Sequence, residues 1–351
     1  MRRIHETASS PRQTVPPGSA NGVRRRLGGS LLALGAGAGG VVIALSLLRS
    51  LPELSTSPSP SSPSAGGAQA VASPTSGFPV PPAGSLVFAA EAGRDALGLA
   101  VVSDTRQLRL QASLVDENGE GTPNLRVAFL VEGSRGETAR ASAVACGSGC
   151  YRAAVALSSR PRRVVVSIGR KAEERIGFVL PAAWPLRPAA AIVLHAARVW
   201  RGLRTLVFHD NLSSGGAVTV HTLWKIVAPD RLSYRIHGGG ESIVIGGRRW
   251  SRFTSAGPWQ LTPQLPVRQP LPAWVDVSDA YVLGTSSVDG KPAWHISFFD
   301  PATPGWFSIF VDERSFHTVE IHMVAAAHFM RDVYGPFDAP LSIVPPAPLG
   351  R

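Results

Sequence analysis

The sequence predicts a mostly β protein with some α: a single N-terminal transmembrane helix, an Ig-like β-sandwich, and then an α+β unit in which a large antiparallel sheet is covered by one helix. Three observations predict it. Residues 27–48 form an uncharged apolar run, residues 84–180 break into short alternating runs divided by turn residues, and beyond one helical period at 188–203 the alternation resumes in longer runs.

The apolar run LGGSLLALGAGAGGVVIALSLL at 27–48 carries no charge. As a helix rising ~1.5 Å per residue it would span roughly 33 Å, enough to cross the hydrocarbon core. Arg24, Arg25 and Arg26 precede it and only Arg49 follows. The positive-inside rule therefore leaves the N-terminus in the cytoplasm and the bulk of the chain outside the cell membrane, which the chain crosses once. The alternative is a cleaved signal peptide, but no small-x-small site closely follows the run, and Ala68-Gln69-Ala70 is far downstream. The expected organisation is a basic cytoplasmic segment at 1–26, the transmembrane helix at 27–48, a Pro/Ser-rich linker at 49–83, a sandwich at 84–183 and a second domain at 184–351. Within the linker, residues 55–82 carry no charge and are rich in Ser and Pro, so they cannot bury enough to fold and act as a spacer.

In the sandwich region LRLQASLV alternates Leu108, Leu110, Ala112 and Leu114 with polar residues, and turn signals follow at Asn118-Gly119 and Pro123-Asn124. The runs LRVAFLVE, TARASAVA, YRAAVAL, RRVVVSIG and ERIGFVL continue at similar spacing, the pattern of an Ig-like sandwich. The two cysteines of the chain, Cys146 and Cys150, stand in CGSGC. Outside the membrane such a pair is expected to be bonded. A thiolate metal pair or a redox couple is the alternative, but two thiols leave a zinc or copper site short of ligands and the spacing is not CxxC.

Residues 188–203 place Ile192, Ala196, Val199 and Leu203 on one helical face. Strands follow around 218–227, 231–237, 241–245, 281–288, 293–299, 306–311 and 316–331, with Asp289-Gly290 marking a tight hairpin. Strand parity puts Val220, Trp224 and Ile226, then Leu232, Tyr234 and Ile236, then Trp294, Ile296 and Phe298 on single faces, and these nine are the candidate lining of a ligand cavity. The stretch HMVAAAHFM at 322–330 holds two of the nine histidines and two of the three methionines. Taken as one strand, His322 and His328 lie roughly 20 Å apart at ~3.3 Å per residue, too far to share an ion. A site assembled across strands from His322, Glu320 and His295 is the remaining metal option, and half-buried strand histidines are the simpler reading. No metal ligands and no cofactor are therefore expected.

Composition excludes some functions. The formal net charge is +11, but much of it comes from Arg2, Arg3, Arg12, Arg24, Arg25 and Arg26 at the N-terminus, and no later stretch interleaves basic residues with aromatics as a nucleic-acid surface requires. Nucleic acid is not an expected partner. No HExxH, GxSxG, P-loop or dinucleotide fingerprint occurs, so an enzyme is not expected.

Trp224 with APDRLSY at 228–234, ESIVIGGRRW at 241–250, Trp259, and HFMRDVYGPFDAPLSIVPP at 328–346 resemble the LolA/LppX-like lipoprotein-carrier superfamily over about 188–346. The resemblance implies an unclosed antiparallel β-barrel packed on a helix, with an apolar cavity that holds acyl chains in several members. ACGSGCYRA at 145–153 resembles the FixH/YtkA-like modules, and the pair is similar to the extracytoplasmic tails of actinobacterial CopD-type copper-transport proteins. The chain lacks a Met/His-rich copper motif and a lipobox. The expected function is a membrane-anchored extracytoplasmic binding protein that accommodates a lipid or a lipoprotein acyl chain. The alternative is an accessory in copper or metal homeostasis, or in envelope-stress sensing, that acts through a membrane-protein partner.

Overall fold

The computed structural model describes residues 78–347 except 104–106, 170–172, 184 and 217. The first nine strands are β1 (Leu86–Ala92), β2 (Asp95–Ser103), β3 (Leu108–Val115), β4 (Arg126–Gly133), β5 (Thr138–Ser142), β6 (Val144–Gly147), β7 (Cys150–Val155), β8 (Pro161–Gly169) and β9 (Glu173–Val179). They form two antiparallel sheets, β1-β2-β3-β7-β6 and β5-β4-β8-β9. Alternate residues of both sheets, among them Leu97, Leu99, Leu110, Phe129, Val164 and Val166, meet in one core, and burial of such side chains stabilises each by about 1.5–3 kcal/mol. The run at 138–145, expected as one strand, divides at Ala143, so that β5 joins one sheet and β6 the other. Cys146 and Cys150 are disulfide-bonded across the tight β6–β7 turn, with their Cα atoms 5.0 Å apart.

The rest of the chain builds a single open sheet. After β10 (Arg187–Pro188) comes α1 (Ala190–Gly202), and then β11 (Thr205–Ser213), β12 (Thr219–Val227), β13 (Arg231–Ile236), β14 (Glu241–Ile245), β15 (Arg248–Arg252), β16 (Gln260–Pro263), β17 (Ser278–Val288), β18 (Lys291–Asp300), β19 (Gly305–Asp312), β20 (Thr318–Ala325) and β21 (His328–Phe337). The twelve strands run β10-β17-β18-β19-β20-β21-β11-β12-β13-β14-β15-β16. The helix lays Ile192, Val193, Ala196, Ala197 and Trp200 on the inner face of this sheet, against Leu206, Ile296, Phe298, Phe307, Ile309 and Ile321 among others. Val199, expected on the buried face, is only half-buried, and Trp200 takes its place.

The expected fold class is corrected by these elements. The described chain is mostly β, with one helix of 13 residues, rather than α+β. Among the described residues one segment is an α-helix and the other regular elements are strands, most of them with period-2 alternation. The sheets stay open and none closes into a barrel, because β10 and β16 end the large sheet without pairing to each other. Among the described residues no helix is long and apolar enough to cross a membrane. The helix expected at 27–48 and most of the linker lie outside the described residues.

The two sheet systems share a third core. In β2, Leu97, Leu99 and Val101 point into the sandwich, whereas Ala96 and Ala100 point the other way, onto Trp306, Phe299 and Phe329 of the large sheet. This two-sided burial explains why DALGLAVVS is apolar almost throughout. Gly98 occupies the tightest point, where a Cβ would overlap the Trp306 indole. The Tyr281 hydroxyl donates to the Gly84 carbonyl at 3.3 Å, the Gly84 N–H donates to Asp279 at 2.7 Å, and the Ser297 hydroxyl donates to the Val87 carbonyl.

Candidate functional site

The inner face of the large sheet is covered unevenly. Ile226, Leu232, Ile296 and Phe298, four of the nine candidate residues, are buried in the core beneath α1. The other five, Val220, Trp224, Tyr234, Ile236 and Trp294, are half-buried. Trp294 lies apart from Trp224 and Tyr234, with its ring 5.3 Å from Phe316 and Arg187 over it at 5.7 Å. Trp224 and Tyr234 belong to a ladder of aromatic rings that crosses four neighbouring strands. Tyr334 on β21 meets Phe208 on β11 (4.9 Å between centroids), Phe208 stacks on Trp224 of β12 (5.7 Å), and Trp224 meets Tyr234 of β13 (4.7 Å). Register makes the ladder: Phe208 pairs with both Tyr334 and Trp224, and Trp224 pairs with Tyr234. Its far end is polar, where Arg249 donates to the Tyr234 hydroxyl at 2.8 Å and Ser242 donates to it at 3.2 Å.

The next row of the same face is acidic. Asp210 and Asp332 are register partners on β11 and β21, directly beside the Phe208–Tyr334 pair. Trp224 Nε1 donates to Asp210 Oδ2 at 3.3 Å, and the Tyr334 hydroxyl donates to Asp332 Oδ2. Burial pushes the Asp332 carboxyl well above the usual carboxylate range, and the neighbouring Asp210 charge adds to it. Burial raises Asp210 as well, partly offset by its hydrogen bonds from Trp224 and from Asp332. Of the two, Asp332 is pushed further up, because it is the more deeply buried. Burial also raises Tyr334, which stays a neutral donor. Sequence reading missed this pair because β11, TLVFHDNLS, mixes His209, Asp210 and Asn211 into its apolar residues and shows no clean alternation.

The stretch at 322–330 is a hairpin and not one strand. β20 and β21 turn at Ala326 and Ala327, where Ala327 adopts a left-handed φ of 51°, and Met323 faces Met330 on the inner side. His322 and Arg331 pair across the outer face, and both bond Glu320, at 2.5 and 2.7 Å. His295 Nε2 lies 2.6 Å from Ser308 Oγ on the adjacent strand. Burial, reinforced by the nearby His322, lowers the His295 pKa to about 4. His295, Ser308 and His322 form the polar floor of a cleft of about 550 Å³ between the sandwich and the sheet, with Phe88, Phe178 and Leu180 among its apolar walls. Among the described residues no three His, Cys, Asp or Glu side chains are placed to hold a metal ion.

No protein-family model matches the chain, and no curated protein matches it in sequence. Among solved structures, the Mycobacterium tuberculosis lipoprotein LppX is similar at 14% identity and a TM-score of 0.32, over 44% of this chain and 97% of that one. A LolA superfamily protein from Nitrosomonas europaea is similar at 10% identity and a TM-score of 0.21, over 45% of this chain and 96% of that one.

Proposed function

We propose that the protein is a binding module that holds a lipid or another acyl-bearing ligand against the inner face of its twelve-stranded sheet. The observation that carries this reading is the aromatic ladder: Phe208, Trp224 and Tyr234 are only partly buried, on the face that α1 covers elsewhere. An acyl chain laid along it would bury apolar area worth roughly 25 cal/mol per Å². Large convergent apolar surface with few fixed polar groups is the usual character of such sites. The sequence resemblance of residues 188–346 to the lipoprotein-carrier superfamily points the same way. A disulfide between Cys146 and Cys150 suits an oxidising, extracytoplasmic setting.

The test is a titration of the full chain with methyl oleate, read by tryptophan fluorescence and by native mass spectrometry. Saturable binding is expected, with Trp224→Ala or Ile236→Arg weakening it at least tenfold while circular dichroism stays native. A folded wild-type protein that gives no saturable response to methyl oleate, oleate or a phospholipid would overturn the reading.

A further inference from the structure

The acidic row leaves hydrogen-bonding groups without protein partners. Asp210 Oδ1 and Asp332 Oδ1 are both buried and receive no N–H or O–H beyond a proton passed between the two carboxyls, and Trp200 Nε1 on α1 has no acceptor in the protein. Asp332 is 3% exposed and Trp200 4%. Tyr334 links them: the Trp200 ring sits edge-on to the Tyr334 ring with centroids 4.7 Å apart, and the Tyr334 hydroxyl is the donor to Asp332. One proton held between the carboxyls joins them to each other but leaves acceptor lone pairs on the acids and does nothing for the indole N–H. Buried polar groups are almost always paired, and each that is not calls for a partner.

The mix of unpaired groups selects the chemistry. An acceptor pair alone would suit a cation and an indole alone would suit an anion, whereas acceptors beside a donor match a hydroxyl, which gives one hydrogen bond and takes another. We propose that Asp210, Asp332 and Trp200 form a polar subsite for the hydroxyl head of a neutral amphiphile, such as the glycerol of a monoacylglycerol, whose chain lies along the Phe208–Trp224–Tyr234 ladder. This rests on the lipid-binding reading and adds the ligand class to it. Thr222, buried in register with Asp210 in the same row, extends the polar strip toward β13 and gives a second head-group hydroxyl a neighbour.

The experiment compares 1-monooleoylglycerol with methyl oleate, which share the oleoyl ester and differ in carrying a dihydroxylated glycerol or a bare methyl. Both are titrated into the full chain, with oleylamine as a third ligand. Wild type is expected to prefer the monoacylglycerol at least tenfold, the effect of two or so ordinary hydrogen bonds. Asp332→Asn keeps the shape but not the acid, and Trp200→Phe removes only the donor. Each is expected to shrink the preference toward unity and to leave methyl oleate affinity within about threefold. Equal affinity of wild type for the two esters, a preference unchanged in both variants, or a stronger preference for oleylamine overturns the subsite alone. Binding of none of the three overturns the lipid-binding reading and the subsite with it.

Discussion

Replacing Trp306 and Gly98 by alanine, singly and together, probes the shared core between sandwich and sheet. Trp306 is 2% exposed and packs on Phe78 and Phe299, with ring centroids at 5.4 and 5.8 Å. A side chain of that kind buries roughly 150–250 Å², which at about 25 cal/mol per Å² is ~4–6 kcal/mol, an upper bound because the unfolded chain already hides part of it. Trp306→Ala is therefore expected to lose about 3–5 kcal/mol. Gly98→Ala drives a methyl into the indole carbons Cε2 and Cζ2, so the ring or the strand must shift, at a cost of about 1–3 kcal/mol. In the double variant the obstacle is gone and the new methyl lies at the edge of the hole. The Gly98→Ala cost should then vanish, a coupling of about 1–3 kcal/mol. Urea unfolding of the full chain by circular dichroism, with midpoint and slope fitted together, measures all three. Losses that add to within about 0.5 kcal/mol would show that the two residues do not touch, and the shared core would be refuted.

Other expectations concern pH and redox state. Asp332 and Asp210 have raised folded-state pKa values, so above the unfolded value of ~3.9 the folded chain keeps a proton that the unfolded chain has lost, and stability falls as pH rises toward the folded value. Asp332→Asn should flatten that fall and be more stable than wild type at pH 8 by chemical denaturation; a less stable variant at that pH contradicts the assignment. His295 and His328 act in the opposite sense, since burial lowers both to about 4. Their contribution is intact above ~6.5 and is lost as pH falls toward 4, up to roughly 3 kcal/mol each. His328→Gln should shift the acid-unfolding midpoint downward, and an unchanged midpoint would show that His328 is not the titrating group. Reduction of Cys146–Cys150 opens a very short loop, so the chain-entropy loss is only about 2 kcal/mol and the reduced protein should remain folded by near-UV circular dichroism.

Local chemistry was legible in the sequence, and long-range pairing was not. Alternation around 218–236 and 293–299 put Trp224, Tyr234, Ile296 and Phe298 on faces that the register reproduces, because a strand's parity is fixed by its own backbone. The cysteine pair was legible because its ring closes within five residues. The hairpin at 326–327 was hidden because alanine, not glycine or asparagine, takes the left-handed turn position, and nothing in HMVAAAHFM signals a break. Asp210 and Asp332 could not be matched in advance. They come from strands at opposite ends of the second sheet's sequence that become neighbours only when β21 returns to β11. The helix pattern pointed to Val199, and only contact with Tyr334 shows why Trp200 faces inward.

Residues 78–347 fall within one compact unit, and the wall between sandwich and sheet is built from both sides. Phe299, Trp306 and Phe329 are covered by Ala96, Ala100 and Val87, small residues that leave room for large ones. Either half taken alone would carry this wall as a sticky exterior, and severed fragments would be expected to clump rather than refold. The same wall sets an evolutionary constraint. A descendant that shed the sandwich would have to replace the aromatics at 299, 306 and 329 with polar residues, whereas one that kept both halves is bound to keep glycine at 98 for as long as tryptophan stands at 306.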